Sequence, residues 1–280
     1  MIDARARQAA YNAASRDQWD GFALHRLQVS TLLGAGRPPS ATRLCILGAG
    51  NCNDLDLPAL LAVHRELHLV DLDPAALRAG TIHQGVDNHP GLTRHAPVDV
   101  TSALEFIAEW TPRADVSRAH LEALARWPSD RVAQAVPGPF DHVASVCLLS
   151  QLIATAHDAL GPEHPGFTAV VRALRAGHLR LLAQLTGARG LATLVTDVVS
   201  SEHLPELETA EPARLAAILP QLARSGRHIH GVHPDQLIDT LQTDPRLAKR
   251  RLAIESAPPW RWRLHRRDYL VWAVSFRSGA

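Results

Sequence analysis

The sequence predicts an α/β fold: a doubly wound, mostly parallel seven-stranded sheet with a C-terminal antiparallel hairpin and an N-terminal helical cap. Three observations predict it. From Arg43 onward, apolar strand-like runs alternate with runs of helical period, and a parallel crossover needs an intervening element, usually a helix. The first such run, "RLCILGAG", enters a glycine turn. Near the carboxyl end, "WRWRLHRRDYLVWAVSFR" sets two β-rich runs around a polar "HRRD" turn, the pattern of an antiparallel hairpin at a sheet edge.

The elements follow in order. The opening "ARARQAAYNAASRDQWDGFALHRLQVSTLLGAG" has helical apolar spacing, with Trp19, Phe22, Leu24, Leu27 and Leu32 as anchors. It forms an expected cap over residues 1–36, and "GRPPSATR" reads as the linker to a domain over residues 41–280. "RLCILGAG" is a buried strand, "DLPALLAVHREL" a helix, and "HLVDLDPAAL" a strand running into the next helix. "RHAPVDVT" fits a short third strand, followed by helices at "SALEFIAEW" and "SRAHLEALARW" and a fourth strand at "DHVASVCLL". The long helix "GFTAVVRALRAGHLRLLAQLTG" precedes a fifth strand, "GLATLVTDVVS".

Composition bounds the rest. At 280 residues, 46% hydrophobic and 20% charged, the chain can bury a sizeable core. A net charge of +1 predicts neither nucleic-acid steering nor attachment to a membrane surface. "MIDARARQAA" has no apolar signal-like core, and no segment approaches the roughly 18 apolar residues of a spanning helix. Cys45, Cys52 and Cys147 form an odd set without paired metal spacing, which suits a reducing cytoplasm, the expected location.

A ligand on such a sheet sits at the carboxyl ends of the strands. Gly48 and Gly50 lie in the first strand-to-helix turn, and Asp71 ends the second strand about 21 residues after Gly50, where a carboxylate can accept ribose hydroxyls. These features point to an adenosine-type cofactor. A pyrophosphate from NAD or FAD favours a third glycine and an uncluttered positive helix end; here Asn53 and Asp54 follow. S-adenosylmethionine carries no phosphate, and its sulfonium and ammonium charges suit an acidic turn, so Asn51 and Asp54 join the expected cofactor contacts. The plainer readings are a simple tight turn for the glycines and helix capping for Asp73 and Asp99.

At these residues the chain resembles the class I, Rossmann-like S-adenosylmethionine-dependent methyltransferases. The resemblance is carried by "ILGAGNCNDLDL", "LVDLDP", "VDVT", "FDHVASVCLLSQL", "HLRLLAQLTGARGLATLVTD" and "YLVWAVSF". It implies that Gly48 and Gly50 line the methionine and ribose, that Asp71 binds the ribose, and that Leu72, Asp99 and Val100 surround the adenine. Ser145, Val146, Cys147 and Leu148 would form the wall beneath the sulfonium. Ile46 stands where many members have an acidic residue and Cys52 where many have a third glycine. The reaction implied is in-line methyl transfer to a small-molecule or peptide acceptor. The alternatives are an NAD-type oxidoreductase and a catalytically silent cofactor-binding module.

The acceptor is less legible. The fourth strand ends in "CLLSQL", without the Asp/Asn-Pro-Pro-Tyr/Phe segment of exocyclic-amine DNA methylation, and no Pro-Cys pair is present. Expected substrate contacts are Trp19, His25, Ser150, Gln151 and Asp197, with Arg26 on the methionine carboxylate. "GRHIHGVHPDQL" gathers His228, His230, His233 and Asp235; His230 and His233 are the candidate catalytic groups, packing histidines are the plainer reading, and no metal is expected. In "WRWRL", Trp260, Trp262 and Leu264 alternate with Arg261 and Arg263, as in a half-buried strand rather than an RNA-binding patch. The oligomeric state stays open.

Overall fold

The computed structural model describes residues 4–34, 42–226 and 228–279. The expected boundary between cap and domain falls in residues 35–41, outside the described residues. Two helices open the chain, α1 (Ala4–Ser15) and α2 (Ala23–Gly34), separated by a 3-10 turn at Trp19–Phe22. Then follow β1 (Arg43–Leu47), α3 (Leu57–Val63), β2 (Glu66–Val70), α4 (Pro74–His83) and β3 (Leu92–His95). Three short helices, α5 (Leu104–Ala108), α6 (Arg118–Trp127) and α7 (Ala133–Ala135), lead to β4 (Phe140–Val146). Next come α8 (Leu149–Leu160), α9 (Phe167–Leu185), β5 (Thr186–Ser200), α10 (Pro212–Ser225) and α11 (Pro234–Thr243). The strands β6 (Ala253–Ser256), β7 (Trp260–Leu264) and β8 (Arg267–Arg277) close the chain.

The α/β class holds. The sheet runs β3-β2-β1-β4-β5-β8-β6, with β7 also paired to β8. The β1, β2, β3, β4 and β5 pairings are all parallel, and β8 lies antiparallel to β5. Strand order therefore reverses between β1 and β4, which opens a crevice at their carboxyl ends. One face of the sheet, through Cys45, Leu47, Val143 and Leu194, packs on the layer containing α5, α6, α8, α9, α10 and α11. The other, through Leu44, Ile46, Leu69 and Val146, packs on α2, α3 and α4. Burial on both faces explains why β1 is continuously apolar from Leu44 to Leu47 rather than alternating.

Three details differ from expectation. The third strand spans Leu92–His95, so only Arg94 and His95 of the expected "RHAPVDVT" lie in it. The sheet has eight strands rather than seven, because the edge position is divided: β6 pairs with the end of β8 and β7 with its beginning. Pro258 and Pro259 lie between them and offer no N–H to the ladder. "AIES" is mostly exposed, with Ile254 its one partly buried residue, so no apolar alternation marked it. The amino-terminal run is also two helices rather than one. The Ser15 hydroxyl turns back onto the carbonyls of Tyr11 and Asn12, and Arg26 Nη1 takes the Trp19 carbonyl at 3.0 Å.

The glycine turn is held from below by α4. A Cβ on Gly80 would stand 2.2 Å from the Asn51 carbonyl oxygen and 3.1 Å from Cys52 Cβ, so only glycine permits this approach. Gly80→Ala is expected to cost about 1–3 kcal/mol through overpacking, lowering the urea midpoint without changing the slope of the transition.

Candidate functional site

The site is built where β1 and β2 end. Gly48 and Gly50 have φ of 75° and 48°, in the left-handed region. The N–H groups of Gly48 and Ala49 donate to the Val70 carbonyl at 2.8 and 3.2 Å. Gly50 N–H donates to Asp71 Oδ2 at 2.8 Å, and Asp73 N–H to Asp71 Oδ1 at 2.9 Å. Asp73 caps α4 by accepting from Ala75 and Ala76. Cys52, at the place of the missing third glycine, has φ of 57°, so the chain keeps there a backbone conformation that glycine adopts more readily. Gln84 staples the loop, donating to the carbonyls of Cys52 and Leu55 at 3.0 Å each.

The helix after this turn starts late. The first-turn amides of α3 already have acceptors: Leu57 N–H donates to Gln84 Oε1 at 2.8 Å and Ala59 N–H to Asp56 Oδ1 at 3.0 Å. A pyrophosphate would need such amides free.

The electrostatics run the same way. Burial pushes the Asp54 carboxyl up to about 7, and burial also raises Asp71 and Asp197. Ser150 Oγ donates to Asp197 Oδ1 at 2.5 Å. Burial holds the thiol of Cys147, at φ 47° beyond the end of β4, well above its ordinary range, and the nearby Asp197 and Asp54 charges add to the rise. Among the described residues none of these three aspartates forms an ion pair. Asn51 Oδ1 is buried there without a hydrogen-bond partner among them. An acidic, cation-deficient crest results.

Helix α1 lies across that crest, fastened by polar contacts. Arg5 pairs with Glu105, Arg7 with Asp158, and Gln8 Nε2 donates to Gln151 Oε1. Asn12 Nδ2 donates to Asp73 Oδ2 at 3.1 Å. From the loop, Asn51 Nδ2 donates to the Asn12 carbonyl at 2.5 Å and Asn53 Nδ2 to the Ser15 carbonyl at 2.6 Å. Asn53, read from the sequence as a group hostile to phosphate, thus holds the carbonyl end of the cap. Asn12 and Ser15 were not singled out in the sequence, where their one signal is polarity at the end of an alanine-rich helix.

The remaining expected residues are dispersed. Val146 and Cys147 are buried on the α2–α4 side of the sheet, and Leu148, packed with the opposite cluster, fills the space above Gly48. Ser145 is turned into the core, 2.8 Å from His178 Nε2. Asp99 accepts from the Thr101 amide and hydroxyl and from Leu104 N–H, bracing the loop before α5, whose N-cap position is Ala103. Val100 is buried beside it, and Leu72 is partly exposed. His25 is fully buried, stacked on Trp262 at 4.4 Å, and accepts from Trp260 Nε1 at 3.0 Å. Burial lowers it to about 3, so it is a neutral packing group between α2 and β7 rather than a substrate contact. Trp19 packs on His83 under the Arg26 guanidinium, and Arg26 donates to the Asn53 carbonyl at 2.7 Å; both tie the cap to the loop.

The histidine cluster separates. His233 caps α11, its Nδ1 accepting from Asp235 N–H at 3.2 Å and its Nε2 donating to the Leu219 carbonyl at 3.1 Å. With both nitrogens engaged it has none for proton transfer. The His228 ring lies tilted against it at 4.9 Å, and His230 lines a different cavity, edge-on to Phe167. Arg261 and Arg263 flank buried Asp268 at 3.9 and 3.6 Å. No helix among the described residues is long and apolar enough to cross a membrane.

No family model matches the chain, and no curated protein matches it. Solved structures with a similar outline include a magnesium protoporphyrin IX methyltransferase from Synechocystis with bound S-adenosylhomocysteine: 11% identity, 99% of this chain and 100% of that chain, TM-score 0.47. An O-methyltransferase family protein from Burkholderia thailandensis is 12% identical over 98% of this chain and 60% of that one, TM-score 0.45. An N-methyltransferase from Bradyrhizobium japonicum is 10% identical over 95% and 99%, TM-score 0.40. With TM-scores below 0.5 and identities near a tenth, these likenesses assign no role to any residue.

The Asp54 carboxyl gives a stability test. Its folded-state value lies above the unfolded one, so the folded state holds the proton between about 4 and 7, and stability falls as pH rises through that window. Asp54→Asn removes this penalty: its thermal midpoint should exceed the parent's above pH 7, with the gap closing toward pH 4.

Proposed function

We propose that the chain is an S-adenosylmethionine-dependent methyltransferase acting on a small-molecule or peptide acceptor, with its cofactor seated at the β1–β4 crevice. The observation that carries this reading is the trio Asp54 after the glycine turn, Asp71 at the end of β2 and Asp197 near the end of β5, raised by burial and without an ion-pair partner among the described residues. A cationic ligand relieves that arrangement, whereas a diphosphate opposes it. The capped first turn of α3 and the unpartnered Asn51 Oδ1 support the same choice.

When bound, the cofactor supplies an electrophilic methyl group on a sulfonium cation. The chain's own residues bind and orient. Asp71, with one backbone N–H on each oxygen, keeps lone pairs for the ribose hydroxyls. Asn51 Oδ1 accepts from the ligand ammonium, and Asp54 sets the negative field. Helix α1 excludes water from above. Asp197 and Ser150 stand at the ends of the central strands, where an acceptor meets the crevice; a carboxyl raised by burial takes up a nucleophile's proton more readily than an ordinary aspartate. Asp99, Leu72 and Val100 belong to the adenine end, with Asp99 shaping the loop through its hydrogen bonds.

Calorimetric titration tests the reading: S-adenosylhomocysteine should bind and NAD should not, and the reverse result refutes it. Methyl transfer from labelled cofactor into a metabolite extract separates an enzyme from a silent binding module. Asp71→Ala should weaken the cofactor by about 1–3 kcal/mol with the fold intact. Because Asp54 titrates near 7 and a cation favours its ionised form, the affinity ratio of S-adenosylmethionine over S-adenosylhomocysteine should rise from pH 6 to 8. In Asp54→Asn the ratio should stay flat.

A further inference from the structure

A second cavity, of about 580 Å³, lies between α9, α11 and the loop carrying His230 and Gly231. Its volume suits a small organic ligand. Arg175, on α9, forms its floor and is only 7% exposed. The guanidinium donates from Nε to Thr240 Oγ1 at 2.9 Å, and from Nη1 to the Gly231 carbonyl at 3.2 Å and Gln236 Oε1 at 3.4 Å. All three acceptors are neutral. Nη2 donates to no protein acceptor among the described residues, and Arg175 makes no ion pair there. A covered cation without a counter-charge is costly unless something supplies one.

The surroundings specify the supplier. Arg172, one turn earlier on α9, adds a second positive charge, and Asp239 on the rim attracts Arg175 from beyond ion-pair distance. Asp244, on the far wall, is already clasped by Arg180 at 2.6 Å. Among the described lining residues outside the Arg180–Asp244 pair, the two arginines against Asp239 leave one positive charge, the complement of a monoanion. Phe167 and Val171, two turns and one turn before Arg175 on the same face of α9, continue the lining as an apolar surface that the His230 ring meets edge-on. The loop's approach is built in: a Cβ on Gly231, at φ 79°, would stand 2.2 Å from Val171, so glycine is what lets the Gly231 carbonyl reach Arg175.

We infer that this cavity binds a small organic carboxylate, its carboxylate on the free edge of Arg175 near Arg172 and its apolar body against Phe167 and His230. The site is separate from the β1–β4 crevice and does not rest on the methyltransferase reading.

Titration of the full chain at fixed ionic strength, with benzoate, its neutral analogue benzamide, and inorganic phosphate, tests the inference. Benzoate should saturate one site and bind at least about tenfold more tightly than benzamide, the factor that corresponds to one charge-assisted hydrogen bond. Phosphate, a dianion facing Asp239, should bind more weakly than benzoate. Arg175→Gln should abolish benzoate binding. Arg172→Gln, an exposed position, should weaken it several-fold and Asp239→Asn should strengthen it, so the inference stays testable should Arg175→Gln fail to fold. S-adenosylhomocysteine affinity should be the same in all folded variants. Equal binding of benzoate and benzamide, phosphate binding in preference to benzoate, or no response to either exposed-charge variant would overturn it.

Discussion

The bond from Gly50 N–H to the Asp71 carboxylate joins the ends of β1 and β2 and sets the geometry of everything above them. It requires a left-handed backbone at Gly50, a strand end at Val70 and a carboxylate that stays near backbone amides rather than reaching solvent. With both Asp71 oxygens bonded to N–H groups, the loop can turn back over α4, and α4 accepts it because Gly80 has no side chain. The same turn carries Asn51, Cys52, Asn53 and Asp54 into the crevice.

Negative charge and the cap are linked through this turn. Asp54 and Asp197 keep their protons more tightly than ordinary aspartates because the surrounding protein offers little water and no cation within ion-pair distance among the described residues. Helix α1 contributes to that dryness, but its own attachment is polar. Its exposed ion pairs are each worth about 0–1 kcal/mol, and Asn12 is its one buried residue among those described. Helix α1, unlike α2 with its buried Val29 and Leu33, is therefore held by amide side chains of the glycine turn more than by apolar area, so a ligand that repositions Asn51 or Asn53 acts directly on its fastening. The glycine turn and α1 form one hydrogen-bonded unit.

The carboxyl-terminal strands have a related economy. Trp260 and Trp262 close over His25, whose neutral ring accepts from one indole and stacks on the other. Arg261 and Arg263 converge on Asp268 on the opposite side. Apparent chemistry in a sequence, a histidine near a helical cap or a basic run near a carboxyl end, here is packing chemistry. The converse holds on α9, where Arg175 sits within an unremarkable amphipathic pattern and yet carries an unneutralised charge.

Periodicity and turn chemistry alone determined the α/β class, the central parallel strands, the terminal hairpin, the glycine turn and the Asp71 position, because those depend on contacts between near neighbours in sequence or on burial of whole strands. The Trp and Arg alternation in β7 was legible for the same reason. Only the tertiary structure decided which polar groups meet. His233 became a cap because Leu219 and Asp235 face its two nitrogens, Ser145 turned inward because His178 lies beneath it, and Asn53 met the end of α1 across 38 residues. Hydrogen-bond partners distant in the chain leave no period to read, so the side chains that finish the site emerge only when the layers are packed.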